Sequence, residues 1–123
     1  MTTVLAFGTF DAFHHGHEFF LASANKLGDR LVVGVARDAH ILALKGRLPV
    51  QNERERLASL RDHPMVAKAV LCDERLGTYE ILNVVQPDII AIGHDQDALR
   101  MDLKRWLTET GRSIRMEQIA IYD

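Results

Sequence analysis

The feature that most constrains the fold of this chain is a regular alternation of short apolar runs with segments of helical periodicity. The apolar runs cover residues 2–7, 31–36, 67–72 and 88–93, and a more polar run covers residues 113–121. The first four runs are apolar on both faces, as expected of central parallel strands that are covered by helices on both sides. The fifth run mixes polar and apolar residues and therefore predicts an edge strand.

Helical patterns lie between these runs. They cover residues 17–27, 52–61, 79–85 and 95–110, and Pro87 ends the third of them. Strands that alternate with helices in this way indicate βαβ units with right-handed crossovers. The sequence thus predicts an α/β, Rossmann-like fold in which a doubly wound sheet of five parallel strands has helices on both faces. A length of 123 residues suits a single domain of this kind.

Composition narrows the class of partner. Lys and Arg total 15 and Asp and Glu total 17, which gives a formal net charge of −2 and argues against a surface that coats nucleic acid. Cys72 is the single cysteine, which excludes an intramolecular disulfide and a cysteine-based zinc site and favours the reducing cytoplasm. We see no signal-peptide pattern and no apolar run near the roughly 18 residues of a membrane span. We therefore expect a cytoplasmic protein with neither a nucleic-acid nor a membrane partner.

The segment GTFDAFHHGH, residues 8–17, stands where the first predicted strand ends and the first helix begins. Ligands of doubly wound sheets bind at the carboxyl ends of the strands. The first turn of a helix also has unpaired backbone N–H groups, which together with the helix dipole attract anions. Gly8 and Gly16 have no Cβ and allow a ligand to approach the backbone closely. The segment therefore predicts a phosphate-binding site.

The titratable side chains of this segment suit phosphate chemistry. His14 and His17 are three residues apart, so on a helical turn they project to the same side. Two imidazoles above an anion site can donate hydrogen bonds to phosphoryl oxygens as negative charge builds in a transition state. Asp11 adds a carboxylate and is a candidate contact to Mg²⁺, directly or through water. His40 and His63, by contrast, have no partner pattern and are predicted to be surface residues.

A G-T-F-D motif followed by H-x-G-H resembles the nucleotidylyltransferases of the cytidylyltransferase type, which include glycerol-3-phosphate cytidylyltransferase, the nucleotidylyl domain of ADP-heptose synthase and archaeal FAD synthase. The likeness extends to residues 26–40, 45–60 and 87–96, and the last of these, PDIIAIGHDQ, is most similar to archaeal FAD synthase. It implies transfer of a nucleoside monophosphate from CTP or ATP to the phosphate of glycerol 3-phosphate, a sugar phosphate or FMN, with release of pyrophosphate. It also implies Mg²⁺ or another divalent cation as cofactor, and a homodimer.

The resemblance implies roles for individual residues. His14 and His17 match the H-x-G-H histidines that stabilise the transition state and hold the nucleotide phosphates, and Lys45 matches a lysine that reaches the phosphates as a mobile charge. The other implied nucleotide-binding positions lie in two loops: Gly8, Thr9, Phe10, Asp11 and Gly16 after the first strand, and Gly93, His94 and Asp95 after the fourth strand, where the base and ribose bind.

Arginines are further candidate phosphate contacts. One of Arg54 and Arg56 matches an arginine that follows the lysine loop of the family, and Arg112 and Arg115 lie near the position of an arginine after its fifth strand. The family's ISTT-like segment, which opens a last helix and binds the triphosphate, has no counterpart here, because the chain ends at residues 121–123. Three explanations of this difference stay open. They are a shortened chain, contacts supplied by another subunit, and lost activity.

Two other functions stay open at this level. One is a non-catalytic or degenerate nucleotide-binding module of the same fold, which the short carboxyl end favours. The other is a flavodoxin-like or response-regulator-like binding protein, which would share the strand alternation and would give His14 and His17 no role.

Overall fold

The structure, a computed structural model, describes residues 1–120. The last residue of the predicted fifth strand, and residues 121–123 at which an ISTT-like segment was sought, lie outside the described residues. Five strands and five helices follow one another along residues 1–120, with two helices in succession between β2 and β3: β1 Thr3–Gly8, α1 His15–Asn25, β2 Arg30–Val35, α2 Asp38–Lys45, α3 Glu53–Arg61, β3 Lys68–Leu71, α4 Glu80–Val85, β4 Ile89–Ile92, α5 Asp97–Thr110 and β5 Arg115–Gln118.

The strands form one parallel sheet in the order β3-β2-β1-β4-β5, which confirms the predicted Rossmann-like fold and the edge position of β5. In the centre, Val4 of β1 stands opposite Leu31 of β2 and opposite Ile89 of β4. The chain leaves β1 toward β2 and β3 and later returns to its other side for β4 and β5. The carboxyl ends of β1 and β4 therefore border the topological switch point, where doubly wound sheets bind ligands.

Alternate side chains of the strands enter two apolar layers. One layer includes Val4 and Val33 of the sheet with Leu21 of α1 and Leu60 of α3. The other layer consists of Leu5, Phe7 and Ile90 of the sheet with buried residues of α4 and α5, among them Leu82, Leu103 and Trp106. Burial on both faces explains why β1, β2 and β4 appear in the sequence as continuous apolar runs.

Helix α2 is the element that the sequence pattern did not predict. Ile41 is its one buried residue, and both Leu42 and Leu44 are exposed, so the segment lacks the apolar stripe of a core-facing helix. The predicted lysine loop is thus partly helical, and Lys45 is the last residue of α2. No helix within residues 1–120 combines the length and the apolar character that a bilayer-spanning segment needs.

Candidate functional site

The turn that leaves β1 has an unusual backbone. Phe10 and Ala12 have φ angles of 53° and 47°, a left-handed conformation that residues other than glycine seldom adopt. The ring of Phe10 is buried and folds back over Gly8, where an added Cβ would lie 2.5 Å from the ring. Gly8 is therefore required for this turn, and strained turns of this kind are concentrated at functional sites.

His14 and His17 together cap the first turn of α1. His14 is the N-cap residue, and its Nδ1 atom accepts a hydrogen bond from the backbone N–H of Gly16 at 3.0 Å. The Nδ1 atom of His17 accepts one from the backbone N–H of His14 at 3.3 Å, which completes a capping box built from two imidazoles. The rings are stacked, with centroids 3.7 Å apart and planes inclined by 24°.

This cap determines the tautomer of both rings. A neutral imidazole has one N–H donor and one acceptor nitrogen. Because both Nδ1 atoms accept from backbone N–H groups, both neutral rings have their proton on Nε2. Partial burial, and secondarily the neighbouring His14, lowers the pKa of His17 below its usual value, which favours the neutral ring. Each histidine can then donate one Nε2–H hydrogen bond to a ligand.

Gly16 is required for the position of His14. A Cβ atom at Gly16 would lie 2.9 Å from Cε1 and 3.1 Å from Nδ1 of the His14 ring. The H-x-G-H spacing therefore has a local physical cause in this chain, since only glycine leaves room for the ring on the first turn of the helix.

Arg56 is placed differently from its predicted role as a phosphate contact. Its side chain is fully buried and donates to the carbonyl of Thr9 at 2.8 Å, the carbonyl of Gln51 at 3.1 Å and a carboxylate oxygen of Asp38 at 2.7 Å. The guanidinium is thus surrounded by protein acceptors and ties the turn after β1 to the starts of α2 and α3. Arg54, the other arginine that the sequence offered for this role, is exposed on α3.

Asp11 is also a structural anchor. Its two carboxylate oxygens accept hydrogen bonds from the backbone N–H groups of Val50 and Gln51, both at 2.8 Å. The Gln51 hydrogen bond is the largest cause that lowers the pKa of Asp11. The oxygens predicted to contact Mg²⁺ are thus engaged by the loop before α3. Within residues 1–120 no group of three His, Cys, Asp or Glu side chains could hold a metal ion, so these residues do not form a Mg²⁺ site from protein ligands alone.

A cavity of about 650 Å³ opens over the carboxyl ends of the strands. Its volume lies within the range of small-molecule binding sites. It brings together most of the site residues that the sequence predicts: Gly8, Thr9, Phe10, His14, Gly16, His17, Lys45, Gly93, His94 and Asp95.

Arg112 and Arg115 lie at the amino end of β5 and do not line the cavity, so the structure does not place them where the predicted phosphate contact requires. Arg115 begins β5 and stands opposite Ile89, the first residue of β4. Arg112 contacts the Trp106 ring at 5.1 Å and donates to Asn83. Arg112 precedes β5 and Arg115 is its first residue, and the amino ends of parallel strands lie opposite the carboxyl ends that form the ligand site.

Gln96 is a site residue that the sequence analysis missed. Its amide nitrogen donates to the carbonyl of Phe7 at 2.8 Å, and its amide oxygen accepts from the backbone N–H of Gly93 at 2.8 Å. The side chain thus joins the carboxyl ends of β1 and β4 at the switch point. The signal was the polar run after β4, but its spacing alone does not show that a glutamine turns back toward the sheet.

His40 and His63 also have partners that their sequence positions did not reveal. Nε2 of His40 lies 2.7 Å from the carbonyl oxygen of Glu74, and Nε2 of His63 lies 2.7 Å from a carboxylate oxygen of Glu18. Only the first of these pairs touches the cavity, because His40 lines its wall.

Comparisons with known proteins agree with this site. A family model described as cytidylyltransferase-like matches residues 5–121. An FAD synthase of Methanothermobacter thermautotrophicus is 47% identical over 112 residues, which cover 85% of this chain and 73% of the relative. An FAD synthase of Thermoplasma acidophilum is 39% identical over 123 residues, which cover 100% of this chain and 85% of the relative.

A solved structure has the same fold. The crystal structure of a lipopolysaccharide core biosynthesis protein from Thermoplasma volcanium GSS1 is 36% identical, superposes with a TM-score of 0.89, and covers 100% of this chain and 99% of that chain. These matches favour the enzyme over the non-catalytic module and the flavodoxin-like binding protein. The chain belongs to the cytidylyltransferase-like family and is a nucleotidylyltransferase similar to the FAD synthases.

Proposed function

We propose that this protein is an FAD synthase, which transfers AMP from ATP to the phosphate of FMN and releases pyrophosphate. The observation that carries the proposal is the pair of capped imidazoles at the start of α1, with both Nδ1 atoms bonded to the backbone. Curated relatives that match most of the chain are named FAD synthases, which supports ATP and FMN among the nucleotides and acceptors that the motif allows.

The reaction is a phosphoryl-type displacement. An oxygen of the FMN phosphate attacks the α-phosphorus of ATP in line, and a new P–O bond forms. The bond between the α-phosphorus and the oxygen that bridges to the β-phosphate breaks, and pyrophosphate leaves with that electron pair. No covalent enzyme intermediate is needed. The protein must hold two anions close together and stabilise the charge that develops on the transferred group and the leaving group.

The site residues have separate parts in this reaction. Nε2–H of His14 and Nε2–H of His17 donate to phosphate oxygens next to the first-turn amides of α1, where the helix dipole also favours negative charge. Lys45, exposed at the end of α2, adds a point charge that can follow the leaving group. His94 and Asp95, which follow β4, bind the base and ribose of the nucleotide.

Mg²⁺ enters this scheme with the substrate. Because the described residues offer no carboxylate cluster, we propose that the ion binds as MgATP and that no step depends on a protein-held metal. The homodimer and the cytoplasmic location remain predictions of the sequence analysis, and light scattering of the purified protein tests the first of them.

The experiment that tests the proposal is product analysis. The purified protein is incubated with MgATP and FMN, and FAD and pyrophosphate are quantified by chromatography and a coupled assay. Parallel reactions contain MgCTP with glycerol 3-phosphate or a sugar phosphate. We expect equal amounts of FAD and pyrophosphate from ATP and FMN. A CDP-linked product without any FAD would show that the substrate assignment is wrong.

A further inference from the structure

The cavity continues past the histidines, over the carboxyl ends of β2 and β3. Two segments line this part: α2 and the loop at residues 73–79. They present large apolar side chains that are not covered by protein, because Leu44 is 72% exposed and Leu76 is 55% exposed although both line the cavity. The floor behind them is formed by Phe7, Ile41, Cys72, Tyr79 and Ile81.

The two segments are fixed to one another and to the core. His40 of α2 contacts the carbonyl of Glu74 at 2.7 Å, which joins α2 to the loop. Tyr79 donates its hydroxyl to Asp102 of α5 at 2.6 Å. Asp73 accepts from the hydroxyl of Thr78 at 2.6 Å and so closes the loop on itself. The apolar surface is therefore held in place before any ligand binds.

The chemistry of this surface is apolar with a cationic rim. Burial raises the pKa of the Cys72 thiol to about 12, so this side chain stays neutral and contributes a small apolar contact. Lys45 and Arg75 line the same cavity beside the two leucines. A ligand that fits must have a broad apolar part and an anionic group at its end.

We propose that Leu44 and Leu76 form the subsite for the isoalloxazine ring of FMN and determine the choice of acceptor, an inference that rests on the proposed FAD synthase function. The flat aromatic ring system covers the two exposed leucines and contacts Tyr79 on the cavity floor, and the FMN phosphate lies toward Arg75. Glycerol 3-phosphate or a sugar phosphate has hydroxyl groups there, which an apolar wall leaves without hydrogen-bond partners. The nucleotide occupies the other half of the cavity, next to the loop after β4.

Exposed-site variants test this subsite without disturbing the core. Leu44→Asn and Leu76→Asn keep the side-chain size and replace apolar surface with an amide; Leu44→Gln and Leu76→Gln do the same on a side chain one bond longer. Leu48→Gln is the matched control for the Gln variants, since Leu48 is 61% exposed and does not line the cavity. We expect KM for FMN to rise on the order of tenfold in each cavity variant, as the loss of apolar burial implies. KM for ATP should stay within about twofold of the unmodified protein, and Leu48→Gln should match the unmodified protein in both constants.

A binding measurement separates this inference from the proposed function. Riboflavin, which lacks the phosphate, is titrated by fluorescence with the ATP-free protein. We expect riboflavin to bind, to bind about tenfold more weakly to Leu76→Gln, and to bind equally well to Arg75→Gln, which should weaken only FMN. If the unmodified protein forms FAD but the leucine variants retain the FMN KM and the riboflavin affinity, the subsite assignment is overturned. If no FAD forms although riboflavin binding depends on the leucines, the proposed function is wrong and the apolar subsite stands.

Discussion

The backbone N–H of His14 donates to Nδ1 of His17, and the ring of His14 in turn accepts from the N–H of Gly16 two residues further along. Capping boxes normally use Ser or Thr with Glu or Gln. Here imidazoles serve both positions, so the groups that cap the start of the helix are the groups that we propose as donors to phosphate. Helix stability and chemistry are therefore linked at His14, and substitutions can separate them.

His14→Asn should separate capping from catalysis. The Asn side chain is a strong N-cap and can still accept from the first turn of α1, but it has no group at the position of Nε2–H. We expect the melting temperature of His14→Asn to stay near that of the unmodified protein and kcat to fall on the order of a hundredfold, as for loss of one oxyanion donor. His14→Ala should lose the same activity and in addition about 1 kcal/mol of stability. Steady-state kinetics with thermal melts check both variants, and an unchanged kcat in His14→Asn contradicts the assigned role.

The pH dependence of stability should reflect His17. Its folded pKa is lowered, with burial as the first cause and His14 as the second, so below the ordinary value of about 6.5 the unfolded chain binds more protons than the folded one. The free energy of unfolding contributed by His17 is then fully present above about pH 6.5 and is lost as the pH falls toward the folded pKa. Protonation at Nδ1 would also remove the acceptor for the His14 N–H.

Thermal melts between pH 8 and pH 5 measure this effect. We expect the difference in melting temperature between the unmodified protein and His17→Gln to shrink as the pH falls through about 6.5, because glutamine does not titrate. FAD formation should fall over the same acid range. Parallel melting curves for the two proteins across the whole range would contradict the argument.

Arg56 should matter for stability through three segments at once. Arg56→Met removes the partner of Asp38 and leaves the carbonyls of Thr9 and Gln51 without their donor. Breaking one partner of a buried ion pair costs about 3 kcal/mol, and we expect a loss of that order in denaturant unfolding. Arg56→Lys should recover only part of it, since a single ammonium cannot reach acceptors in three directions. Arg54→Met, an exposed change on the same helix, should stay within about 0.5 kcal/mol.

The sequence predicted this sheet well because β1, β2 and β4 are buried on both faces and therefore appear as apolar runs. It missed α2, in which Ile41 alone is buried, since helical periodicity is visible only where one stripe meets the core. Helix α1 begins at His15, two residues before the predicted start at residue 17. Histidine is not a common N-cap residue, so the pattern could not show that His14 caps the start of this helix.

Site residues were predictable to the extent that they lie at one strand end. His14, His17 and Gly16 are close in sequence, and local geometry brings them together. The roles of Arg56 and Asp11 were not predictable, because they depend on contacts with Thr9, Val50 and Gln51 across distant segments. A motif shows that a charge is present, and only the fold shows whether that charge faces the ligand or the protein.

Metal dependence should follow the nucleotide. If Mg²⁺ binds as MgATP, Mg²⁺ alone should leave the melting temperature unchanged, since the described residues form no cluster that could hold it. MgATP at about 100 times its Kd should add roughly 2.7 kcal/mol of stability. Removal of Mg²⁺ with a chelator should abolish FAD formation and cancel most of that gain. A clear thermal shift with Mg²⁺ and no nucleotide would show a protein-held metal site and contradict the scheme.

Gly16 should be required for full kcat only when residue 14 has an imidazole ring. In Gly16→Ala the new methyl group would meet Cε1 of His14 at 2.9 Å, so the ring must leave its stacked position against His17. Alanine is more favourable than glycine in a helix interior by about 1 kcal/mol, so helix propensity alone would make Gly16→Ala stabilising. We expect kcat of Gly16→Ala to fall on the order of tenfold or more, because the Nε2–H donor is displaced.

In the His14→Asn background, where the ring is absent, the same Gly16→Ala change should leave kcat unaltered. This double-mutant cycle isolates the coupling between the two positions. Equal losses in both backgrounds would mean that Gly16 acts on the backbone and not through the ring of His14.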